Sequence, residues 1–411
     1  MMQFDVAAVR ADFPILGTQM HGAPLLYLDS AATMQMPRQV AAAVYEHEMC
    51  CRANVHRGIY ALGEQAAACV EGVREQVRAL LNAERAEEIV FTAGTTQGIN
   101  AAALSLASRL APGDEVLVTE QEHHSDFLPW QSVCARSGAS LRVVPVDASG
   151  EITAEAFRGC LTPRTRLAAF TAVSNVTGAV TDVPALTAAA HEVGALVFVD
   201  AAQAFHAGVP DVRRWGCDLL AFSGHKLGAP MGVGVLWGRY ALLDSLPPAF
   251  LGGGMADVVR AEDSTFLPPP LRFEAGTPNV AGIVGLGAAL DYLDALGWER
   301  LNAHAHRLLA LAEEGLRNLP GVTLLGAPAR RAGALSFNLR GLHCFDVAAL
   351  LDALGIAVRS GQHCAQPLLR ALGADGAVRI SPAFYNTEEE IERFLAALRR
   401  IAALGREEMG P

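Results

Sequence analysis

Seven short apolar runs, several of them followed by Ala-rich stretches, set the strongest constraint on how this chain folds. The runs are Glu88–Thr92, Glu115–Thr119, Leu141–Pro145, Arg166–Thr171, Ala195–Asp200, Asp218–Ser223 and Gly234–Trp237. Between them, Thr95–Leu110 and Pro184–Val193 carry helical spacing. Alternation of this kind predicts an α/β fold with a mainly parallel seven-stranded sheet flanked by helices. In such sheets ligands bind at the carboxyl ends of the strands.

At 411 residues the chain exceeds what one hydrophobic core supports, which predicts two domains. The strand–helix pattern assigns 26–285 to a large domain and 1–25 with 286–411 to a smaller α+β domain. In the latter, long helical runs (Ile283–Leu296, Leu301–Asn318) lead to short strands at Val322–Leu325 and Ala334–Asn338, then to helices at Asp346–Leu354 and Thr387–Leu404. Leu267-Pro-Pro-Pro-Leu271 reads as an exposed loop. Apolar residues make up 51% and charged residues 18%, as in a well-packed protein rather than a disordered one. A net charge of -11 argues against nucleic acid or an anionic membrane as the main partner. No apolar run approaches the roughly 20 residues of a membrane span, and Met-Met-Gln-Phe-Asp5 does not open like a signal peptide. Eight cysteines without a C-x-x-C pair point to free thiols, a reducing cytoplasm and no metal site.

Chemistry collects where the strands end. Asp218-Leu-Leu-Ala-Phe-Ser-Gly-His-Lys226 is an apolar strand delivering a lysine to a Gly-rich loop. Ala195-Leu-Val-Phe-Val-Asp-Ala-Ala-Gln203 delivers Asp200 and Gln203 in the same way. Thr92-Ala-Gly-Thr-Thr96 follows a strand and opens a helix, whose N-terminal amides and hydroxyls suit a phosphate. Each piece alone would pass for a capping or surface residue. Together, an amine, a carboxylate and a phosphate nest are what pyridoxal phosphate (PLP) requires. Lys226 would form the Schiff base, Asp200 would pair with the pyridinium nitrogen, and Gln203 would bond the ring's phenolate oxygen. Ser223 and His225 add donors for the phosphate. A histidine of Glu120-Gln-Glu-His-His-Ser125 could stack on the ring and shuttle protons, and the residues do not choose between His123 and His124. Arg379 and Arg359 are candidate carboxylate anchors. Cys364, in Ser360-Gly-Gln-His-Cys-Ala365, is the thiol in the most polar setting, with His and Arg neighbours to favour its thiolate.

With those residues in place, the chain resembles the PLP-dependent cysteine desulfurases of fold type I, within the class V aminotransferase superfamily. The resemblance is to group II, the SUF/CSD-type enzymes that include selenocysteine lyases. It runs almost end to end, through Tyr27-Leu-Asp-Ser-Ala-Ala-Thr33, Asn54-Val-His-Arg-Gly58, Val173-Ser-Asn-Val-Thr-Gly178, Arg272-Phe-Glu-Ala-Gly-Thr-Pro278 and Tyr385-Asn-Thr387. Arg359-Ser-Gly-Gln-His-Cys-Ala-Gln366 is the stretch most specific to group II.

The resemblance implies that Lys226 is both the Schiff-base lysine and the Cα base, and that His123 is the stacking histidine. It implies cofactor contacts from Thr95, Asp200, Gln203, Ser223 and His225, and a substrate carboxylate held by Asn175 and Arg379. Cys364 would take sulfur from L-cysteine as a persulfide, leaving L-alanine, for delivery to a small sulfur-acceptor protein. Gly276 and Thr277 would complete the phosphate site of the other subunit in a homodimer. Alternatives within the resemblance are a selenocysteine lyase and a PLP-binding sulfur-relay scaffold with little turnover. The chain departs from the usual pattern at Leu227-Gly-Ala-Pro-Met-Gly232, where Gly228 replaces a tyrosine and gives the loop freedom.

Overall fold

The computed structural model describes residues 4–55 and 60–407. His56, Arg57 and Gly58 of the Asn54–Gly58 motif lie outside the described residues. The seven expected strands are present, each within a residue or so of its sequence bounds. They are β1 (Ile89–Thr92), β2 (Glu115–Thr119), β3 (Ser140–Val144), β4 (Thr165–Thr171), β5 (Leu196–Asp200), β6 (Leu219–Ser223) and β7 (Gly234–Gly238). They form one sheet in the order β1-β7-β6-β5-β4-β2-β3. Neighbours are parallel from β6 across to β3, and β7 is antiparallel to both β1 and β6. From β3 the chain returns past β2 to place β4 on its other side. Strand order therefore reverses between β2 and β4, the kind of point where α/β sheets hold ligands.

Helices cover the sheet: α1 (Ala61–Leu80), α2 (Thr95–Leu106), α3 (His124–Ser137), α4 (Val183–Glu192) and α5 (Val280–Leu296). Side chains cap the starts of α4 and α5. Asp182 accepts from the Ala185 amide at 3.2 Å, and Asn279 from the Gly282 amide at 3.0 Å. The sequence reading did not single out α1, although Ala66, Val70, Val73 and Val77 recur at helical spacing and are all buried. Burial of a side chain such as Val70 or Val77 contributes roughly 1.5–3 kcal/mol.

The C-terminal region builds a second, antiparallel sheet from β8 (Val322–Leu324), β9 (Leu335–Leu339), β10 (Arg359–Gly361) and β11 (Ala377–Ile380), in the order β8-β9-β11-β10. With α6 (Trp298–Arg317), α7 (Cys344–Asp352) and α8 (Glu388–Glu407) it encloses a separate core around Phe337, Val378, Phe394 and Leu398. Leu26 and Leu28 pack in this core, and Leu26–Tyr27 pairs in parallel with Ile356–Ala357. Val9, Phe13 and Leu16 instead pack with the core of the large sheet. Two domains remain our proposal, with the first segment straddling them and with α5 and Leu301, packed in the large-sheet core, running past the expected bound at 286. The Pro-rich stretch differs from expectation: Pro268 is exposed, but Pro269 and Pro270 are buried. No single helix among the described residues is long and apolar enough to cross a membrane.

The two sheets meet where the loop after β4 touches the segment before β9. Gly178 has φ +71°, its carbonyl accepts from the Ala332 amide at 2.8 Å, and a Cβ there would overlap the carbonyl oxygens of Ala332 and Ala334. Gly178→Ala should therefore lower stability by about 2–3 kcal/mol through backbone strain and overpacking. The urea midpoint should fall with little change in slope; an unchanged midpoint would show that the joint adjusts freely.

Candidate active site

The carboxyl ends of the strands and one edge of the second sheet enclose a cavity of ≈ 340 Å³. Strand β6 ends at Ser223 and passes into a tight turn that carries His225 and Lys226. Strand β5 ends at Asp200, and Gln203 follows. Thr95 opens α2, His123 caps α3, and Asn175 lies in the loop after β4. All of these line the cavity. Arg359, Cys364 and Arg379 reach its opposite wall from the second sheet. Gly276 and Thr277 do not join them: both are exposed, and Thr277 lines a different cavity of ≈ 210 Å³ beside Phe91 and Phe250. That segment is fixed by Glu274, which takes both guanidinium nitrogens of buried Arg74 (2.8 and 3.0 Å) and the Phe91 amide (2.7 Å).

Hydrogen bonds set each side chain. Ser223 Oγ accepts from the Thr95 amide at 2.8 Å and lies 2.7 Å from Thr95 Oγ1, so the end of β6 and the start of α2 share one polar corner. His225 Nδ1 lies 3.2 Å from Thr33 Oγ1. The Ala202 amide donates to Asp200 Oδ1 at 2.8 Å. Gln203 Nε2 donates to the Ala31 carbonyl at 2.7 Å, while its Oε1 has no donor among the described residues. Arg379 donates to Asp29 Oδ1 at 2.9 Å and to the Asn175 carbonyl at 3.0 Å. Its buried Nε has no acceptor among the described residues, a donor left for an anionic ligand.

The two histidines left open by sequence separate. His123 lines the cavity and accepts from the Ser125 amide at 3.1 Å. His124 turns to the Cys364 loop, where its Nε2 lies 3.4 Å from the Gln366 amide. Among the thiols, Cys134 and Cys217 are buried, and burial pushes them up to about 11 and about 12. Cys364 is exposed and on the cavity wall. His363 adds no cation beside it, because burial, with Arg379 nearby, holds its ring down near 3.

Burial and neighbouring charge tune the other groups. Burial brings Lys226 down to about 8, opposed by the Asp200 carboxylate. Burial raises Asp200, opposed by Lys226 and the Ala202 amide. His123 is held near 3 by burial and by Lys226, and His225 near 4 by the same two causes. The cavity therefore offers one amine beside one carboxylate, neutral imidazoles, and a cationic far wall.

The Gly228 loop is not free. Gly228 takes φ +79° to end the lysine turn, and a Cβ there would press within 3.2 Å of the Gln35 carbonyl and 3.3 Å of Pro37. A tyrosine would be strained in this conformation.

These features define an enzyme that works through a carbonyl cofactor. The profile for class-V aminotransferases matches residues 26–394, and the chain belongs to that family. It is similar to the cysteine desulfurase of Klebsiella pneumoniae (strain 342), at 47% identity over 405 residues, 98% of this chain and 100% of the relative. Among solved structures it is similar to the cysteine desulfurase CsdA from Escherichia coli, with a TM-score of 0.90 and 38% identity over 98% of this chain and 99% of that one. The apo cysteine desulfurase from Thermococcus onnurineus NA1 gives a TM-score of 0.92 at 37% identity, with the same coverage. The architecture is PLP fold type I, and PLP is the family's cofactor.

The residues present fit that group. The Thr95–Ser223 corner at the N-terminus of α2 offers donors suited to a phosphate, and Asp200 and Lys226 both line the cavity and act on each other's charge. Residues that sequence reasoning did not single out include Asp29, which aims Arg379, and the pair Glu122 and Asp126 behind Asp200. A simple count was also available: Lys226 is the chain's one lysine.

His123, His225 and His363 are kept neutral well below the unfolded value near 6.5. The folded apoprotein then binds fewer protons than the unfolded chain in this range. Their contribution is complete above pH 6.5 and is lost as pH falls toward 4. Urea unfolding of apoprotein should show the unfolding constant rising on acidification, by up to about tenfold per pH unit per histidine. His225→Asn should remove one such increment; a profile parallel to wild type would show that His225 is not held neutral.

Proposed function

We propose that this protein is a PLP-dependent cysteine desulfurase, which converts L-cysteine to L-alanine and keeps the sulfur on Cys364. The observation that carries the reading is an accessible thiol on the wall of a cavity whose floor holds Lys226 against buried Asp200.

When bound, PLP supplies the electron sink that lets the substrate's Cα–H bond break. Thr95, Ser223 and His225 would hold its phosphate, and Asp200 would pair with its ring nitrogen. Arg379, aimed by Asp29 and with its Nε free, takes the substrate carboxylate in a bidentate fork, assisted by Asn175 and by exposed Arg359. Lys226, the one amine on the cavity floor, removes the Cα proton; the burial that lowers it to about 8 suits a base working near neutral pH. His123, on the cavity wall and held neutral, would stack against the cofactor ring. The Cys364 thiolate attacks the substrate sulfur. A sulfur–sulfur bond forms, the carbon–sulfur bond breaks, and its electron pair stays with the substrate carbon, which is protonated to give alanine. The persulfide stands at the exposed loop, where a small sulfur-acceptor protein can reach it.

The placement of Gly276 and Thr277 supports a homodimer. They are exposed and away from their own cavity, as residues serving a second subunit's phosphate site would be.

Purified protein incubated with L-cysteine should form alanine, and the Cys364 peptide should carry one added sulfur by mass spectrometry without reductant. Cys364→Ala and Lys226→Ala should each reduce alanine formation by on the order of 10³-fold or more. Alanine formed with an unmodified Cys364, or undiminished in Cys364→Ala, would overturn the role of the thiol.

A further inference from the structure

Behind the cavity wall lies a carboxyl pair that the chemistry above does not use. Glu122 precedes His123 in the turn after β2, and Asp126 sits in the first turn of α3. Both are 0% exposed. Thr119 Oγ1 donates to Glu122 Oε1 at 2.5 Å, and Trp130 Nε1 donates to Asp126 Oδ1 at 2.8 Å. The remaining oxygens, Glu122 Oε2 and Asp126 Oδ2, are buried with no hydrogen-bond partner at ordinary distance among the described residues, although the Thr171 backbone lies near enough to lower Glu122. The two carboxyls lie close enough for each to act on the other's protonation. Ionised carboxylates only accept, so a bond between them needs a proton, and a single proton satisfies both orphaned oxygens.

The surroundings favour keeping that proton. Burial raises both groups, Glu122 to about 8 and Asp126 well above the ordinary range, and the Asp200 charge adds to the effect. The Lys226 charge acts on Asp200 rather than appearing among the influences on the pair. Of the flanking histidines, His123 is held near 3, and burial also lowers His124, so neither offers a charge to the pair.

The turn that this pair spans is the one that presents the site. Its His123 carbonyl accepts from the Asp126 amide at 2.8 Å, and its His124 amide donates to the Cys364 carbonyl at 2.7 Å. We propose that Glu122 and Asp126 share one proton through the neutral range, and that this bond clamps the turn that positions His123 and the backbone of Cys364. Proton sharing stands on the packing alone; the positioning role rests on the desulfurase reading.

Asp126→Asn tests both parts. Its amide N–H can replace the shared proton toward Glu122 while its oxygen still accepts from Trp130. Unfolded carboxyls release their protons near pH 4, so the pair's contribution is present at low pH and is lost as pH rises toward 8. In urea unfolding of apoprotein, the wild-type unfolding constant should rise relative to Asp126→Asn by up to about tenfold per pH unit between pH 5 and 8. Glu122→Gln, the second variant, should behave likewise. Parallel profiles for wild type and both variants overturn the shared proton. In the holoenzyme, the alkaline limb of kcat for alanine formation should move upward by a pH unit or more in Asp126→Asn, with KM little changed. An unmoved limb overturns the positioning role while leaving the unfolding result intact. A wild type that forms no alanine sinks the desulfurase reading and the positioning role with it, again without touching the unfolding result.

Discussion

The site depends on one arrangement: an ammonium and a carboxylate withdrawn from water together at the end of adjacent strands. Lys226 and Asp200 each resist ionisation because burial penalises charge, and each is sustained by the other. β5 and β6 are paired in register up to Asp200 opposite Ala221, so the sheet's own hydrogen bonds fix where Asp200 stands relative to the lysine turn. A loop could not hold two such groups without reorganising around them. The neutral histidines follow from burial first, and the lysine charge adds to it at His123 and His225.

On the proposed reading, the second sheet supplies what the first lacks: a carboxylate anchor and a nucleophile. Its β11 carries Arg379, which would be free to swing were it not held by Asp29 and the Asn175 carbonyl. The thiol is delivered under strain. His363 and Cys364 both take left-handed backbone conformations, φ 51° and 53°, which cost about 1–3 kcal/mol each for residues with a Cβ. The surrounding contacts impose this shape. Asn175 Nδ2 donates to the His363 carbonyl at 2.8 Å, His124 donates to the Cys364 carbonyl at 2.7 Å, and His363 Nε2 lies 3.0 Å from the Ala377 carbonyl. Each hydrogen bond returns about 1 kcal/mol, comparable with the strain. The backbone is thereby pinned to the same two loops that border the cavity, while the side chain stays accessible.

How much of this was legible in the sequence depends on whether the information is local. The strands of the large sheet are short apolar runs ending in turns, and all seven could be read directly. The lysine, Asp200 and the Thr95 corner were legible because each follows its strand immediately. Asp29 was not singled out, because its partner Arg379 is 350 residues away and nothing in Tyr27-Leu-Asp29 reveals the pairing. Gly228 was misread as freedom, since a glycine's positive φ and the proximity of Pro37 are facts of packing. Glu122 and Asp126 are four residues apart, a spacing that fits an ordinary helix start equally well. Only their shared burial makes them a pair that must hold a proton.

Charge usage fits the same chemistry. The chain carries 31 arginines and one lysine, so nearly all its surface cations are guanidiniums. A guanidinium stays protonated and does not act as an amine nucleophile, whereas a buried lysine loses its proton readily. An aldehyde cofactor condenses with amines. In this protein its choices are the chain terminus and Lys226, and only Lys226 sits beside a buried carboxylate and a phosphate corner. On the proposed reading, selectivity for the productive adduct is thus built in twice: the cavity would bind the rest of the cofactor, and the surface offers no competing lysine.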